Sequence, residues 1–161
     1  MDRISPAARS RNMSHIRSKD TLPELIVRRY LHAAGLRYRL HAPKLPGKPD
    51  LVFSQRRICL FVHGCFWHGH DCVRGARAPK INADYWRAKI ARNRARDETT
   101  LAAYAAMGWR TLVVYECELK DRAALNARLG RALSVPAPSR VKPLELLNGA
   151  SVGIDKANRR S

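Results

Sequence analysis

Acidic residues are scarce in this chain. Thirteen Asp and Glu stand against 31 Lys and Arg over 161 residues, a formal charge of +18. Such an excess costs self-repulsion in the folded state, so a polyanionic partner is its natural explanation. The bland alternative is a base-composition bias, since Arg-rich and Ala-rich usage carries part of the excess. Long apolar runs are missing too: nothing approaches the roughly 18 residues a membrane span needs. The first twenty residues lack the apolar segment of a secretory signal. These absences predict a cytoplasmic protein with no membrane partner. Only four Cys are present, and in a reducing compartment they read as metal ligands or core thiols rather than disulfides. No internal repeat is found. The length suits one domain with loose ends.

Three regions are expected. Residues 1 to 19 form a basic arm with little to bury, in which Met13 and Ile16 are three apart, as one helical turn would place them. Met13 is either incidental or an apolar wedge between base steps. Residues 20 to 133 form the folded domain, and residues 134 to 161 are too poor in apolar material to fold. Within the domain, Thr21-Leu-Pro-Glu24 reads as a capping box opening a helix that ends before Gly35, with Leu22, Ile26 and Tyr30 turned inward. Leu36 to His41 alternates apolar and basic like a half-exposed strand. Leu51 to Phe53 and Ile58 to Val62 read as central strands joined by a hairpin turn. A helix from about Asn82 to Met107 is cationic in its first half, with Arg87, Lys89, Arg92, Arg94 and Arg96. A buried strand over 109–116 and a short helix over 121–133 complete the domain.

The chemistry is concentrated between Pro46 and Cys72. Asp50 opens an apolar strand, where a carboxylate is expensive to bury unless something positive neutralises it. Mg2+ would do so; a solvated, idle strand-edge Asp is the alternative. Cys65, His70 and Cys72 are spaced for a tetrahedral zinc, and Cys117, ending a neighbouring strand, is the fourth ligand chosen. His68 could compete as a ligand, whereas Cys59 reads as a core thiol. His63 and His68 bracket the Cys65-Phe-Trp segment, which points to acid–base work or phosphate contact. Phe66, Trp67 and Trp86 either stack on bases or roof the metal site. Glu24 has a sufficient structural role as the partner of Thr21.

These residues form a pattern. P-G-K-P-D50, H63-G-C65-F-W-H68-x-H70-x-C72, the helix W86-x-x-K-I-x-x-N93-x-x-R-D97 and the strand G-W-R-x-L-V-V-Y-E-C117 resemble the very short patch repair endonucleases. The resemblance spans roughly residues 10 to 133. It implies an α/β fold of the restriction-endonuclease (PD-(D/E)xK) type, a central mixed sheet flanked by helices with a structural zinc site. It implies a Mg2+-dependent DNA nickase cutting 5′ of the mispaired thymine at T:G mismatches left by deamination of 5-methylcytosine. Asp50 is similar to the Mg2+-binding carboxylate, and the Val62 main-chain carbonyl to a second metal contact, where the family often has Thr. His68 is similar to the essential imidazole, His63 to its auxiliary, and Glu24 to an acid holding water at the metal. Cys65, His70, Cys72 and Cys117 match the structural zinc ligands. Phe66, Trp67 and Trp86 match intercalating aromatics, and Met13 the minor-groove wedge. Asn93 and Asp97 match positions near the site, in a supporting role. The implied partners are mismatched double-stranded DNA and mismatch-repair scaffold proteins, for a monomer in the bacterial cytoplasm at the nucleoid. The loop between Cys72 and Trp86 is slightly longer than in the family, which leaves the contacts of Arg74 to Lys80 open.

Two other readings stay open. One is a restriction-type nuclease of the same fold acting on intact duplex. The other is a non-catalytic, zinc-stapled DNA-binding module, for which a hairpin carboxylate and two imidazoles are more equipment than binding requires.

Overall fold

A computed structural model of the chain describes residues 19–40, 42–77 and 79–133. The proposed wedge Met13, nearly all of the basic arm and the C-terminal tail therefore lie outside the described residues. Helix α1 covers Leu22–Ala33, strand β1 Leu51–Phe53 and strand β2 Ile58–His63. Helix α2 covers Ala83–Ala106, strand β3 Arg110–Tyr115 and helix α3 Arg122–Leu133. The sheet order is β1-β2-β3, with β1 antiparallel and β2 parallel to its neighbour, which makes a mixed α/β fold.

Continuous apolar runs form β1 and β2 because both sheet faces are covered. Leu51, Phe53, Ile58, Leu60 and Val114 pack with α1 and α3 on one face. The alternate residues Val52, Cys59 and Phe61 pack with Tyr104 of α2 on the other. Cys59 is thus a core thiol, as its position in the strand predicts. The hairpin turn is a 3₁₀ turn over Ser54–Arg56, closed by Arg57 in the left-handed region. The parallel pairing sets His63 beside Tyr115. Two residues further along each chain lie Cys65 and Cys117, so both thiols leave the same end of the sheet.

Three local expectations are corrected. Helix α1 turns inward Glu24, Val27, Arg28 and Leu31, while Leu22 is 66% exposed. The charged pair is tolerated inside because Arg28 Nη2 lies 3.1 Å from Glu24 Oε2 and Arg28 Nη1 lies 2.5 Å from Asp20 Oδ1. The capping box does not close either. Thr21 donates its hydroxyl to Glu24 Oε1 (2.8 Å) instead of accepting from the helix, and the Asp20 N–H donates to Glu24 Oε2 (2.9 Å). Of the strand expected over Leu36 to His41, the described residues Leu36 to Leu40 keep one bridge, in which Arg39 exchanges two hydrogen bonds of 2.9 Å with Val52. A three-residue β1 offers no longer ladder, and the chain then turns through Pro43 and Pro46.

Candidate active site and metal centre

The segment before β1 is clamped by α2. The Tyr104 hydroxyl donates to the Pro46 carbonyl (2.8 Å), and Gly47 takes φ 68° directly against Thr100. A Cβ at Gly47 would lie 2.4 Å from Thr100 Cγ2, so this position requires glycine. Asp50 follows, its N–H donating to the Leu60 carbonyl (3.1 Å). Its carboxylate turns to the neighbouring strand, where the Val62 N–H donates to Oδ2 (2.7 Å). Among the described residues no ion pair forms at Asp50. Burial pushes its carboxyl up to about 6; Glu24 adds to the rise, and the Val62 N–H and Arg28 oppose it.

Asp50 opens into a cleft of about 1090 Å³ that also receives Glu24, His63, His68, Asn93 and Asp97. The sequence-predicted site residues from four separate segments therefore meet in one place. His68 Nδ1 lies 2.5 Å from Asp97 Oδ2. A carboxylate only accepts, so Nδ1 carries the hydrogen and Nε2 is left for proton exchange. The His63 ring lies flat on that of His68, with centroids 3.6 Å apart and planes within 9°. Burial, and then the charge of His68, push His63 down to about 4, so it stays neutral near pH 7. Asn93 donates from Nδ2 to the Trp67 carbonyl (2.9 Å), tying the aromatic loop to α2. Glu24, on the same wall, accepts hydrogen bonds from Thr21, Asp20 and Arg28.

Next to the cleft, the ligand atoms of Cys65, His70, Cys72 and Cys117 all lie within 4.8 Å of one another. His68 belongs to the other cluster, with His63 and Asp97. The Cys117 N–H donates to Cys65 Sγ (3.3 Å), and the His70 ring stacks on Tyr115 at 3.9 Å. Cys72 is drawn down to about 6 by its hydrogen bonds to His70 and then the Gly75 N–H, whereas burial pushes Cys65 up to about 12. Three thiols and an imidazole so closely gathered are a donor set for a soft or borderline divalent cation, and the cluster is a possible metal site.

Phe66, Trp67 and Trp86 form a cluster of half-buried rings. The Phe66 and Trp67 centroids are 5.1 Å apart, and Trp86 lies 5.7 Å from each. Lys89 Nζ sits 5.2 Å from the Trp67 ring and 5.5 Å from that of Trp86. The sequence reading missed Arg28, Tyr104 and Tyr115 as supports, and left the task of Asp97 unspecified. A signal for Asp97 existed: Trp86, Ile90, Asn93, Asp97 and Tyr104 fall on one side of α2 at helical spacing.

Comparison with known proteins follows the same residues. A profile of the family described as DNA mismatch endonuclease Vsr matches residues 1–74. The type II nicking enzyme V.XorIIP of Xanthomonas oryzae is 56% identical over 132 residues, covering 82% of this chain and 96% of that protein. V.NmeAIP of Neisseria meningitidis is 42% identical over 130 residues, covering 81% of this chain and 92% of that protein. The DNA mismatch endonuclease Vsr of Escherichia coli is 39% identical over 120 residues, covering 74% and 76%. With its hairpin carboxylate, paired imidazoles and Cys/His cluster in place, the chain belongs to the Vsr family of DNA mismatch endonucleases and is a DNA endonuclease.

Proposed function

We propose that this endonuclease is a Mg2+-dependent nickase that cuts 5′ of the mispaired thymine at T:G mismatches, the lesion left when 5-methylcytosine deaminates. The observation that carries the reading is the meeting of Asp50, His63, His68 and Asp97 in one cleft, with Trp67 also on its wall. Relatives named as nicking enzymes and as a mismatch endonuclease support it. The hairpin that carries Asp50, with β3 parallel beside it, is consistent with a restriction-endonuclease-like core. Residues 1 to 19 act as a DNA-contacting arm with Met13 as a wedge, 20 to 133 as the nuclease, and 134 to 161 as a tail. The protein works as a monomer in the bacterial cytoplasm at the nucleoid, and mismatch-repair scaffold proteins are candidate partners.

The residues at Asp50 fit a hard divalent cation. Its carboxylate is desolvated, hydrogen-bonded through Oδ2 to Val62 and without an ion pair among the described residues. In an extended strand the N–H and C=O of one residue face the same neighbour. The Val62 carbonyl is therefore turned to the side where Asp50 lies, and because this contact is main-chain, Val in place of Thr need not abolish it. When bound, Mg2+ held by Asp50 and the Val62 carbonyl supplies a Lewis acid for the scissile phosphate. Zn2+ fits the cluster of Cys65, His70, Cys72 and Cys117, which closes around four ligands and so serves structure.

The chain's own groups carry the proton. Asp97 fixes the His68 ring and its tautomer, and Nε2 takes the proton of the attacking water or returns one to the leaving oxygen. His63 stays neutral beside it, so the pair of rings carries at most one charge near pH 7. Glu24 supports α1 and its charge raises Asp50. Phe66, Trp67 and Trp86 open the base step. A T:G wobble pair stacks less well than its neighbours, so insertion costs less there, and deformability supplies part of the selectivity.

An end-labelled duplex with one T:G pair, beside its T:A control, tests this with Mg2+ or EDTA. A single nick 5′ of the thymine, only with T:G and Mg2+, is expected. Equal cutting of both duplexes would mark a restriction-type nuclease, and binding without cutting a DNA-binding module.

A further inference from the structure

The loop that follows the Cys/His cluster has no part in the mechanism above. A second hollow, about 460 Å³, opens beside Phe66 and is lined by Arg74, Arg77, Pro79 and Glu116. Glu116 also lines the main cleft, so the two hollows meet at this residue.

Arg74 stands on a pinned turn. The Gly75 N–H donates to Cys72 Sγ (3.4 Å) and the Ala76 N–H to the Cys72 carbonyl (2.8 Å). The turn packs so closely that a Cβ at Gly75 would lie 1.8 Å from the His70 carbonyl oxygen. From this turn Arg74 Nη1 reaches Glu116 Oε1 at 2.6 Å, in a pair that is half exposed on the Arg side. Arg77 pairs with no carboxylate among the described residues. A guanidinium has five N–H donors in a planar fork, so the contact with Glu116 leaves donors of Arg74 free. An exposed Arg–Glu pair contributes little to stability, so sharing that Arg with a second anion costs little.

We infer that Arg74 and Arg77 form a phosphate clamp beside the aromatic cluster, gripping the DNA backbone next to the opened base step, with Glu116 aiming Arg74. The inference rests on the reading that Phe66 and Trp67 enter DNA. The phosphate of a splayed step has to lie close to the inserted rings, and this hollow sets two cations against the Phe66 side of the cluster. Because the hydrogen bonds to Cys72 hold the turn in advance, ordering the turn adds little to the cost of binding.

Fluorescence anisotropy of a labelled duplex, T:G and T:A in parallel, tests the clamp with the full zinc-loaded chain over a range of KCl. Arg74→Gln and Arg77→Gln are each expected to reduce the slope of log K against log[KCl] by about 0.9 and to weaken low-salt binding about tenfold on both duplexes. Arg131→Gln, on α3 near the hairpin-turn end of the sheet, is expected to leave the slope as it is. Arg74→Lys keeps the charge without the fork, so it should keep the slope and lose part of the affinity. Zinc content confirms that each variant is folded. A double variant with wild-type slope and affinity overturns the clamp, as does an equal loss in Arg131→Gln. Binding slopes do not depend on cutting, so a wild-type protein that fails to nick T:G sinks the proposed function and leaves the clamp's own readout intact.

Discussion

His68 Nδ1 stands 2.5 Å from Asp97 Oδ2, and the same ring lies face to face with His63. One carboxylate on α2 therefore sets the tautomer of an imidazole carried on the loop after β2. Asp97→Asn keeps the shape and lets the ring turn or change tautomer. Nicking at saturating DNA is expected to fall by about 10²-fold or more, with DNA affinity within a fewfold of wild type. Single-turnover kinetics and anisotropy separate the two. A loss confined to affinity would remove Asp97 from this role.

Much of the fold was legible because it rests on patterns that neighbours cannot override. The apolar runs of β1 and β2, and the stop at Gly108 after α2, come from burial on two faces and from a left-handed glycine. Cys117 was legible as a partner of Cys65 because both follow strand ends. The inward face of α1 was not, since a polar pair, Glu24 and Arg28, is buried there by satisfying itself. The strand expected over Leu36 to His41 failed because alternation is local, while a ladder needs a partner longer than β1. In the site, Asp50 and the histidines stood out by residue type. Asp97 and Tyr104 act through the side of α2 they share, which composition alone does not show.

The proposed magnesium site at Asp50 predicts a dependence on pH. Its folded-state value, near 6, lies above the ordinary 3.8, so without metal its contribution to stability is full below about pH 3.8 and is lost as pH rises through 6. A cation needs the ionised carboxylate, so the gain in Tm from Mg2+ should be small at pH 5 and grow to a plateau above pH 7. At about a hundredfold over Kd the plateau is worth about 2.7 kcal/mol. His63 runs the other way, its contribution falling as pH drops from 6.5 through about 4. Taking the difference with and without Mg2+ at each pH cancels it. A gain that ignores pH, or that survives in Asp50→Asn, contradicts the assignment.

Gly47 is where the clamp on Asp50 is tightest. Gly47→Ala forces a Cβ to within 2.4 Å of Thr100 Cγ2 at φ 68°. A loss of about 1–3 kcal/mol in urea unfolding is expected, from left-handed strain and the clash together. Adding Thr100→Ala should recover the clash and leave the strain. A neutral Gly47→Ala would show that the segment before β1 is not held by α2.

The Cys/His cluster predicts a split between the four thiols. On the proposed zinc site, Cys65→Ser should lose zinc binding and lower Tm by about 10 °C or more, because a structural metal site closes as the chain folds. Cys59→Ala should keep zinc, since Cys59 packs with Val52, Phe61 and Tyr104 away from the cluster. Metal analysis and thermal unfolding decide it. Zinc retained in full by Cys65→Ser counts against the site.

The most direct test of the central claim is a nicking assay with wild type and Asp50→Ala on one duplex carrying a single T:G pair, in Mg2+. The account predicts a nick on the 5′ side of the thymine by the wild type, no nick by Asp50→Ala, and comparable DNA binding by both. Full nicking by Asp50→Ala would contradict it.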